Sequence, residues 1–353
     1  MNKNHITDLH IENFKSIKSM DLKCKRINIL VGKPNVGKSN ILEALGLLSR
    51  MGTLHEVIRF NQTYELFYDN DITNNIIVES NIISSLIHSN SKNTDFEWIL
   101  TDNRNLLIEI LNDDSFLADL FNNKVETIKK NRDISLDEYQ LTSDGSYNYR
   151  NSLRGTQTTI KKYHFKENNK FIDSSSFFLS VPFGENLLKI LATNKELRKD
   201  VGTFFKDYGL DFLIDQKENK FEIQKNVDGI SYKYDYSLTA DTLRRVIFYI
   251  AAIKSNKDSV LLFEEPESHC FPPYISRIAD EMIEAESNQF FVATHSPYLL
   301  NRIVENTKYE DCAVFVASYK DYQTHVRELT EEEISDMLDY GTDVFINYKA
   351  FVE

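Results

Sequence analysis

Ile27-Asn28-Ile29-Leu30-Val31-Gly32-Lys33-Pro34-Asn35-Val36-Gly37-Lys38-Ser39-Asn40-Ile41-Leu42-Glu43-Ala44-Leu45 is the stretch on which the fold turns. An apolar run leads into GxxxxGK[ST], and then Ile41, Leu42, Leu45 and Leu48 fall on one helical face. The spacing reads as buried strand, loop and amphipathic helix. The loop needs its glycines because backbone N–H groups must turn inward and approach phosphate oxygens closely. Lys38 then reaches the β and γ phosphates, the Ser39 hydroxyl suits magnesium, and the helix directs its positive end at the same anion. Gly32, Lys33, Pro34, Asn35, Val36, Gly37, Lys38, Ser39 and Asn40 are therefore assigned to a nucleoside triphosphate, with ATP and Mg2+ as the expected cofactors.

Working outward, Ile6 to Phe14 alternates as a strand and Ser19 to Leu22 reads as a second one. Toward the other end, Asp241 to Lys254 is helical and Ser259 to Phe263 is a strand. Pro273 to Ala285 is a helix, Gln289 to Ala293 a strand, and Ala313 to Ala317 the expected final strand. Thr330-Glu331-Glu332-Glu333 has capping-box spacing and opens a helix to about Leu338. Alternating strands and helices at the two ends predict one α/β sheet built from both, with residues 1–60 and 236–353 forming the head. Residues 61–235, rich in Asn, Ser and Asp, read as an α+β insertion or lid domain for oligomer or partner contacts. A helical segment near Leu106 to Lys130 and β-like runs at Tyr163-His164-Phe165 and Phe221-Glu222-Ile223 lie within it.

A second motif complements the loop. Val260-Leu261-Leu262-Phe263 ends in Glu264-Glu265-Pro266-Glu267, an apolar strand closing on carboxylates. Glu264 suits a magnesium contact and Glu265 suits a base that orients and deprotonates water. Phe290-Phe291-Val292-Ala293-Thr294-His295 puts a histidine at another strand end, within reach of a γ-phosphate if the strands are parallel neighbours. Gln62 is the candidate magnesium-sensing glutamine.

Composition bounds the rest. The chain has 353 residues, 41% hydrophobic and 27% charged, which is ordinary globular usage. Lys plus Arg is 41 against 54 Asp plus Glu, a net charge of −13. Such an acidic surface argues against a protein wrapped in DNA. The basic clusters Lys129-Lys130-Asn131-Arg132 and Lys161-Lys162 are read as solvated faces. The apolar runs are too short for a membrane span, Met1 to His5 lacks a secretory stretch, and the cysteines (Cys24, Cys270, Cys312) form no pair motif. A cytoplasmic protein without membrane contact is expected.

Taken in order, Asn13-Phe14-Lys15-Ser16-Ile17, the phosphate loop, Glu264-Glu265-Pro266-Glu267 and Thr294-His295-Ser296-Pro297 resemble the ABC-type ATPase head. That head is shared by SMC-like, RecF-like and overcoming-lysogenization-defect (OLD) proteins. The resemblance covers about 55 residues at the start and 120 at the end. Phe183-Gly184-Glu185-Asn186-Leu187 is also similar to ATPase subunits of bacterial anti-phage systems such as PARIS. The resemblance implies a P-loop NTPase fold with a mixed sheet, Glu265 as water-activating residue and His295 as switch residue. It also implies head-to-tail dimers sandwiching ATP, each closed in trans by a signature, here Leu238-Thr239-Ala240-Asp241-Thr242. Asp241 departs from the family's glycine and is expected to cap its helix, and hydrolysis is expected to be slow. Glu267-Ser268-His269 falls where a dimer contact is usual. OLD nucleases carry a C-terminal Toprim domain. Asp336, Asp339 and Asp343 follow a short helix instead and are read as solvated, so no nuclease site is visible. The implied function is an ATP-hydrolysing subunit of an antiviral defence complex, controlling a separate effector and answering a phage trigger protein. The alternatives are a RecF/SMC-like repair ATPase that binds DNA, or a slowly hydrolysing scaffold.

Overall fold

Strand β3 (Ile27–Val31) is buried along its whole length, and the reason lies in what covers it. Ile27, Ile29 and Val31 pack into one apolar cluster while Leu30 packs into a second on the opposite face. A strand covered on both sides has no solvent face, so its sequence runs apolar without alternation. The computed structural model describes residues 2–49, 53–89, 95–102, 104–112, 135–153, 158–167, 170–341 and 343–352. The expected basic cluster at 129–132 and the later part of the expected helix to Lys130 lie outside them; its start is helix α3 (Arg104–Asn112).

Among the described residues β3 sits inside a sheet ordered β16-β15-β3-β14-β13-β9. Strands β9 (Ile160–Tyr163), β13 (Val260–Glu264), β14 (Gln289–Ala293) and β15 (Cys312–Lys320) run parallel with β3. Ala313–Ala317 is not the last strand, because β16 (Gln323–Glu328) turns back antiparallel on β15. Asp321 and Tyr322 make that turn at φ 50° and 62°, the primed geometry of a two-residue hairpin. Asp-Tyr lacks the glycine that usually announces such a turn.

The ends of the chain do not build a single sheet. β1 (Asp8–Phe14) and β2 (Ile17–Lys23) open a separate antiparallel sheet, ordered β2-β1-β4-β5-β6-β7-β8. Its other strands are β4 (Ile76–Ser80), β5 (Ser84–Ser89), β6 (Phe96–Thr101), β7 (Leu136–Leu141) and β8 (Tyr147–Leu153), all from the middle of the chain. β1 shows the cause in its half-buried pattern, since one face packs inward and the other meets water. Helix α1 (Lys38–Leu47) contributes Ile41, Leu42, Leu45 and Leu47 to the core between the two sheets. It is followed by α2 (Leu54–Val57). On the far face of the parallel sheet lie α4 (Leu187–Thr193), α5 (Lys195–Lys206), α6 (Asp241–Ser255), α7 (Pro272–Glu284), α8 (Pro297–Glu305) and α9 (Glu331–Tyr340). The Thr330–Glu333 capping box opens α9 as its spacing requires. Asp336 and Asp339 lie exposed on α9, and Asp343 accepts from the Phe345 N–H. A small sheet of β10 (Asp211–Asp215), β11 (Lys220–Val227) and β12 (Ile230–Asp235) precedes α6. The fold is α/β with mixed sheets and an inserted α+β segment.

Two buried amides lock the chain's start to β14. Gln289 accepts from the Ile6 N–H at 2.7 Å and donates to the Ile6 and Lys25 carbonyls, each at 2.7 Å. Asn28 donates to the Lys25 and Phe290 carbonyls at 2.7 and 3.1 Å. Neither residue has any exposed surface. Replacing Gln289 by Leu leaves both Ile6 backbone groups buried without partners, so unfolding in urea should show a loss of roughly 3 kcal/mol at unchanged slope.

Candidate functional site

The parallel strands β3, β14 and β13 end at one edge, and the loops leaving them line a cleft of about 710 Å³. Pro34, Asn35, Gly37, Lys38, Ser39 and Asn40 form one wall. Glu264, Glu265, Ala293 and His295 form the other, with Ser16, Arg59 and Tyr319 at the rim. Open α/β sheets place ligands at this edge.

The glycines of the loop have a measurable reason. Gly32 and Gly37 hold φ of 149° and 97°. A β-carbon on Gly32 would meet the Ala317 carbonyl at 2.5 Å, and one on Gly37 would meet the Thr324 hydroxyl at 2.0 Å. The loop is thus pressed against β15 and β16 on its outer side. Lys38 is buried and folds back, donating to the Gly32 and Lys33 carbonyls at 2.9 and 2.8 Å. Burial pulls its pKa down, opposed by the charges of Glu265 and Glu264.

Ser39 donates from its hydroxyl to Glu264 Oε1, across the two walls. Burial works against the Glu264 charge, but the Lys162 ammonium, the Ser39 hydroxyl and Arg59 outweigh it and hold the carboxyl below its ordinary pKa. Two hard oxygen donors already in contact, one of them anionic, are a donor set that suits magnesium. Gln62 stands elsewhere: it precedes a 3-10 turn (Thr63–Leu66), its N–H reaches Glu65 Oε2, and it does not line the cleft. Among the described residues no group of three or more His, Cys, Asp or Glu is arranged to hold a metal ion.

Glu265 takes φ 44°, an unfavourable value for a side chain of its size, while its N–H is pinned to the Ala293 carbonyl at 2.8 Å. This turns its half-exposed carboxylate toward the open cleft, 3.8 Å from His295 Nε2. His295 is aimed from below: the buried Glu267 accepts from the His295 N–H at 2.9 Å and from the Thr294 hydroxyl at 2.6 Å. Burial and then the Lys38 charge lower the His295 pKa against the opposing Glu265 carboxylate, and this lowering favours the neutral ring.

The Asn13–Ile17 motif acquires a physical meaning. Asn13, near the end of β1, and Lys15, in the turn to β2, hold φ of 54° and 50°. Lys15 reaches the fully buried Glu43 of α1 at 2.5 Å, and Ser16 accepts from the Asn40 amide at 2.7 Å. Arg59 spans Glu43 Oε1 at 2.8 Å and Glu264 Oε1 at 3.1 Å. Lys161 and Lys162 are not solvated, since β9 is packed between β13 and buried surroundings. Lys161 bonds Asn256 and Ser259, and Lys162 bonds the Val57 carbonyl. Arg59, Glu43 and Lys162 carried no local sequence signal as site residues; only the tertiary pairing places them here.

Leu238, Thr239, Ala240 and Thr242, but not Asp241, line a different cavity, of about 600 Å³, with Phe205, Tyr208, Phe271 and Tyr274. Asp241 does not cap α6. Ala240 occupies the N-cap, and the Asp241 carboxylate lies along the first turn, 3.8 and 3.5 Å from Arg244 and Arg245. Two arginines at i+3 and i+4 offer it stronger partners than backbone N–H groups. Thr242 donates to the His269 carbonyl at 2.6 Å, and the Thr239 hydroxyl is buried without a partner.

The family described as "AAA domain, putative AbiEii toxin, Type IV TA system" matches residues 27–301. No curated protein is similar enough in sequence to count as a relative. Among solved structures, an SMC head bound to the C-terminal winged-helix domain of ScpA is 13% identical at a TM-score of 0.48, covering 94% of this chain and 99% of that one. The SMC head domain from Thermotoga maritima is 12% identical at 0.42, covering 92% and 99%. A Pyrococcus furiosus SMC head with an extended coiled coil, bound to the C-terminal domain of ScpA, is 12% identical at 0.45, covering 95% and 99%.

Because burial first and the Lys38 charge second disfavour the imidazolium form, the His295 ring proton signals should titrate with a midpoint below 6.5. In Lys38→Ala that midpoint should move upward, toward 6.5, with burial keeping it short of the full value. An unmoved midpoint by NMR would separate the two residues.

Proposed function

The chain belongs to the AAA-domain family just described, and on that premise we propose that it is an ATP-gated head whose nucleotide state controls the assembly of a larger complex. It is an ATP-binding and ATP-hydrolysing domain; the assembly and its output are our reading. The observation that carries the proposal is the convergence of Lys38, Ser39, Glu264, Glu265 and His295 on one cleft.

The residues divide the work as follows. The loop N–H groups and the Lys38 ammonium, once released from its two carbonyl acceptors, bind the β and γ phosphates. Ser39 and Glu264 would hold magnesium, which when bound supplies positive charge to the phosphate oxygens. Glu265 accepts a proton from the attacking water, its strained backbone fixing the carboxylate toward the place where that water must sit. His295, its backbone anchored by Glu267, would donate a hydrogen bond from its ring N–H to a γ-phosphate oxygen.

One chain leaves the outer side of the γ-phosphate to solvent. A second chain presenting Leu238–Thr242 there would exclude water and strengthen each charge interaction inside, which supports a head-to-tail dimer made on ATP and lost on hydrolysis. With Asp241 held by Arg244 and Arg245, its carboxylate is drawn away from an approaching phosphate. The exposed surface of residues 61–235, apart from β9 in the parallel sheet, is proposed as the contact for further copies or a partner.

Three outputs are open to such a head. A RecF/SMC-like role holds DNA directly, and a scaffold role assembles on ATP and turns it over slowly; a defence role passes the ATP state to a separate effector, the setting that the family's toxin–antitoxin description supports. Burial of Lys161 and Lys162 removes one of the two basic clusters from any DNA-facing surface.

Lys38→Ala should weaken ATP binding by roughly 10- to 100-fold with the fold intact, read by a fluorescent ATP analogue and circular dichroism. Glu265→Gln should bind ATP normally and turn it over about 100-fold more slowly or worse. Sedimentation of Glu265→Gln should show an ATP-dependent larger species that Thr239→Arg reduces. Turnover that rises with added DNA would select the RecF/SMC-like role, and turnover indifferent to DNA the effector role. A Glu265→Gln protein that stays monomeric in saturating ATP would defeat the gating proposal.

A further inference from the structure

We propose that Lys162, carried by the edge strand β9, is a positioning residue for the nucleotide cleft, one buried ammonium that sets both the Glu264 carboxylate and the segment presenting Arg59. The proposal rests on the ATPase reading above and adds to it a residue from the middle of the chain. Strand alternation puts Lys162 there. It is in register with Leu262 of β13, and Glu264 lies two residues beyond Leu262 on the same face, toward α1. The Lys162 side chain is 6% exposed. Its Nζ donates to the Val57 carbonyl at 2.7 Å and lies 3.8 Å from Glu264 Oε2.

The two Glu264 oxygens are thereby divided between walls. Oε1 takes the Ser39 hydroxyl and Arg59, while Oε2 faces Lys162. Val57 closes α2, and Arg59 follows it by two residues, so the ammonium that steadies Val57 also steadies the segment from which Arg59 reaches across the cleft. Arg59 has a side chain 68% exposed at the rim, where solvent and salt weaken its hold on a carboxylate. Lys162 is enclosed, and its attraction is screened far less. With Lys162 absent, Glu264 would stand before an anionic triphosphate with its inner oxygen facing no counter-charge, and would rotate or withdraw.

Lys161 provides the comparison. It is equally buried on the same strand but faces the opposite side, bonded to Asn256 and Ser259 away from the cleft. Lys161→Met and Lys162→Met should both unfold at lower urea. Only Lys162→Met should lose kcat, by about tenfold or more, as removal of a partner that orients a site ligand does. Its affinity for a fluorescent ATP analogue should change much less, and the magnesium concentration giving half-maximal binding should rise. A thermodynamic cycle adds a readout independent of turnover: in a Glu264→Gln background, Lys162→Met should shift the urea midpoint less than in the parent, because no carboxylate is then left unpaired. If Lys162→Met does not fold, Lys162→Gln, which keeps a donor for Val57 without the charge, takes its place in every comparison. Equal kcat in the two lysine variants, or strictly additive midpoint shifts, would overturn the proposal. A parent protein without ATP turnover would instead defeat the ATPase reading, and the Lys162–Glu264 coupling would still be measurable.

Discussion

Parallel pairing of β3 with β14, and of β14 with β13, is the constraint on which everything else hangs. Parallel strands cannot be joined by a tight turn, so each neighbour of β3 must arrive from far along the chain. Phe290 pairs with Ile27, and Glu264 comes level with Ala293 only because that pairing is in register. A slip of one residue would turn Phe291 and Ala293 out of their cluster and swing Glu264 away from Ser39. Gln289 and Asn28, both buried, resist that slip: Gln289 ties β14 to Ile6, and Asn28 ties β3 to Phe290 of β14.

The electrostatics of the cleft follow from the same placement. Glu43, Glu264 and Glu267 are carboxylates at or below the sheet edge, and each is answered differently. Glu43 has Lys15 and Arg59, Glu264 has Lys162 and Arg59, and among the described residues Glu267 has only a hydroxyl and a backbone N–H. The two with cationic partners lie beside the phosphate loop. Glu267, whose pKa burial raises, serves to aim a histidine and needs no charge for that work.

How much of this was legible in the residues depended on range. The phosphate loop, β13, β14 and the α9 cap are local patterns, and periodicity or spacing located them. β9 was visible as a β-like run at Tyr163, but its pairing with β13 is set by packing far from it in sequence, so Lys161 and Lys162 looked like a surface pair. The same gap hid Arg59 and the division of the N-terminal strands between two sheets. Asp241 failed for a nearer reason: its helix position suggested a cap, while Arg244 and Arg245 one turn on compete for the carboxylate. Asp321-Tyr322 failed because backbone strain absorbed what a glycine would ordinarily permit.

Thr324 touches the place where a β-carbon on Gly37 would sit, and its hydroxyl pairs with Ser16 at 2.6 Å. The phosphate loop is therefore shaped from outside by a strand synthesised long after it. During translation the residues of the loop leave the ribosome 324 − 38 = 286 positions ahead of the one that braces them. At about 5–20 residues per second, that interval is roughly 15–60 s. Through it, the nascent chain carries the motif without the walls β13, β14 and β16 supply, so the complete cleft is assembled only after residue 324 has been made.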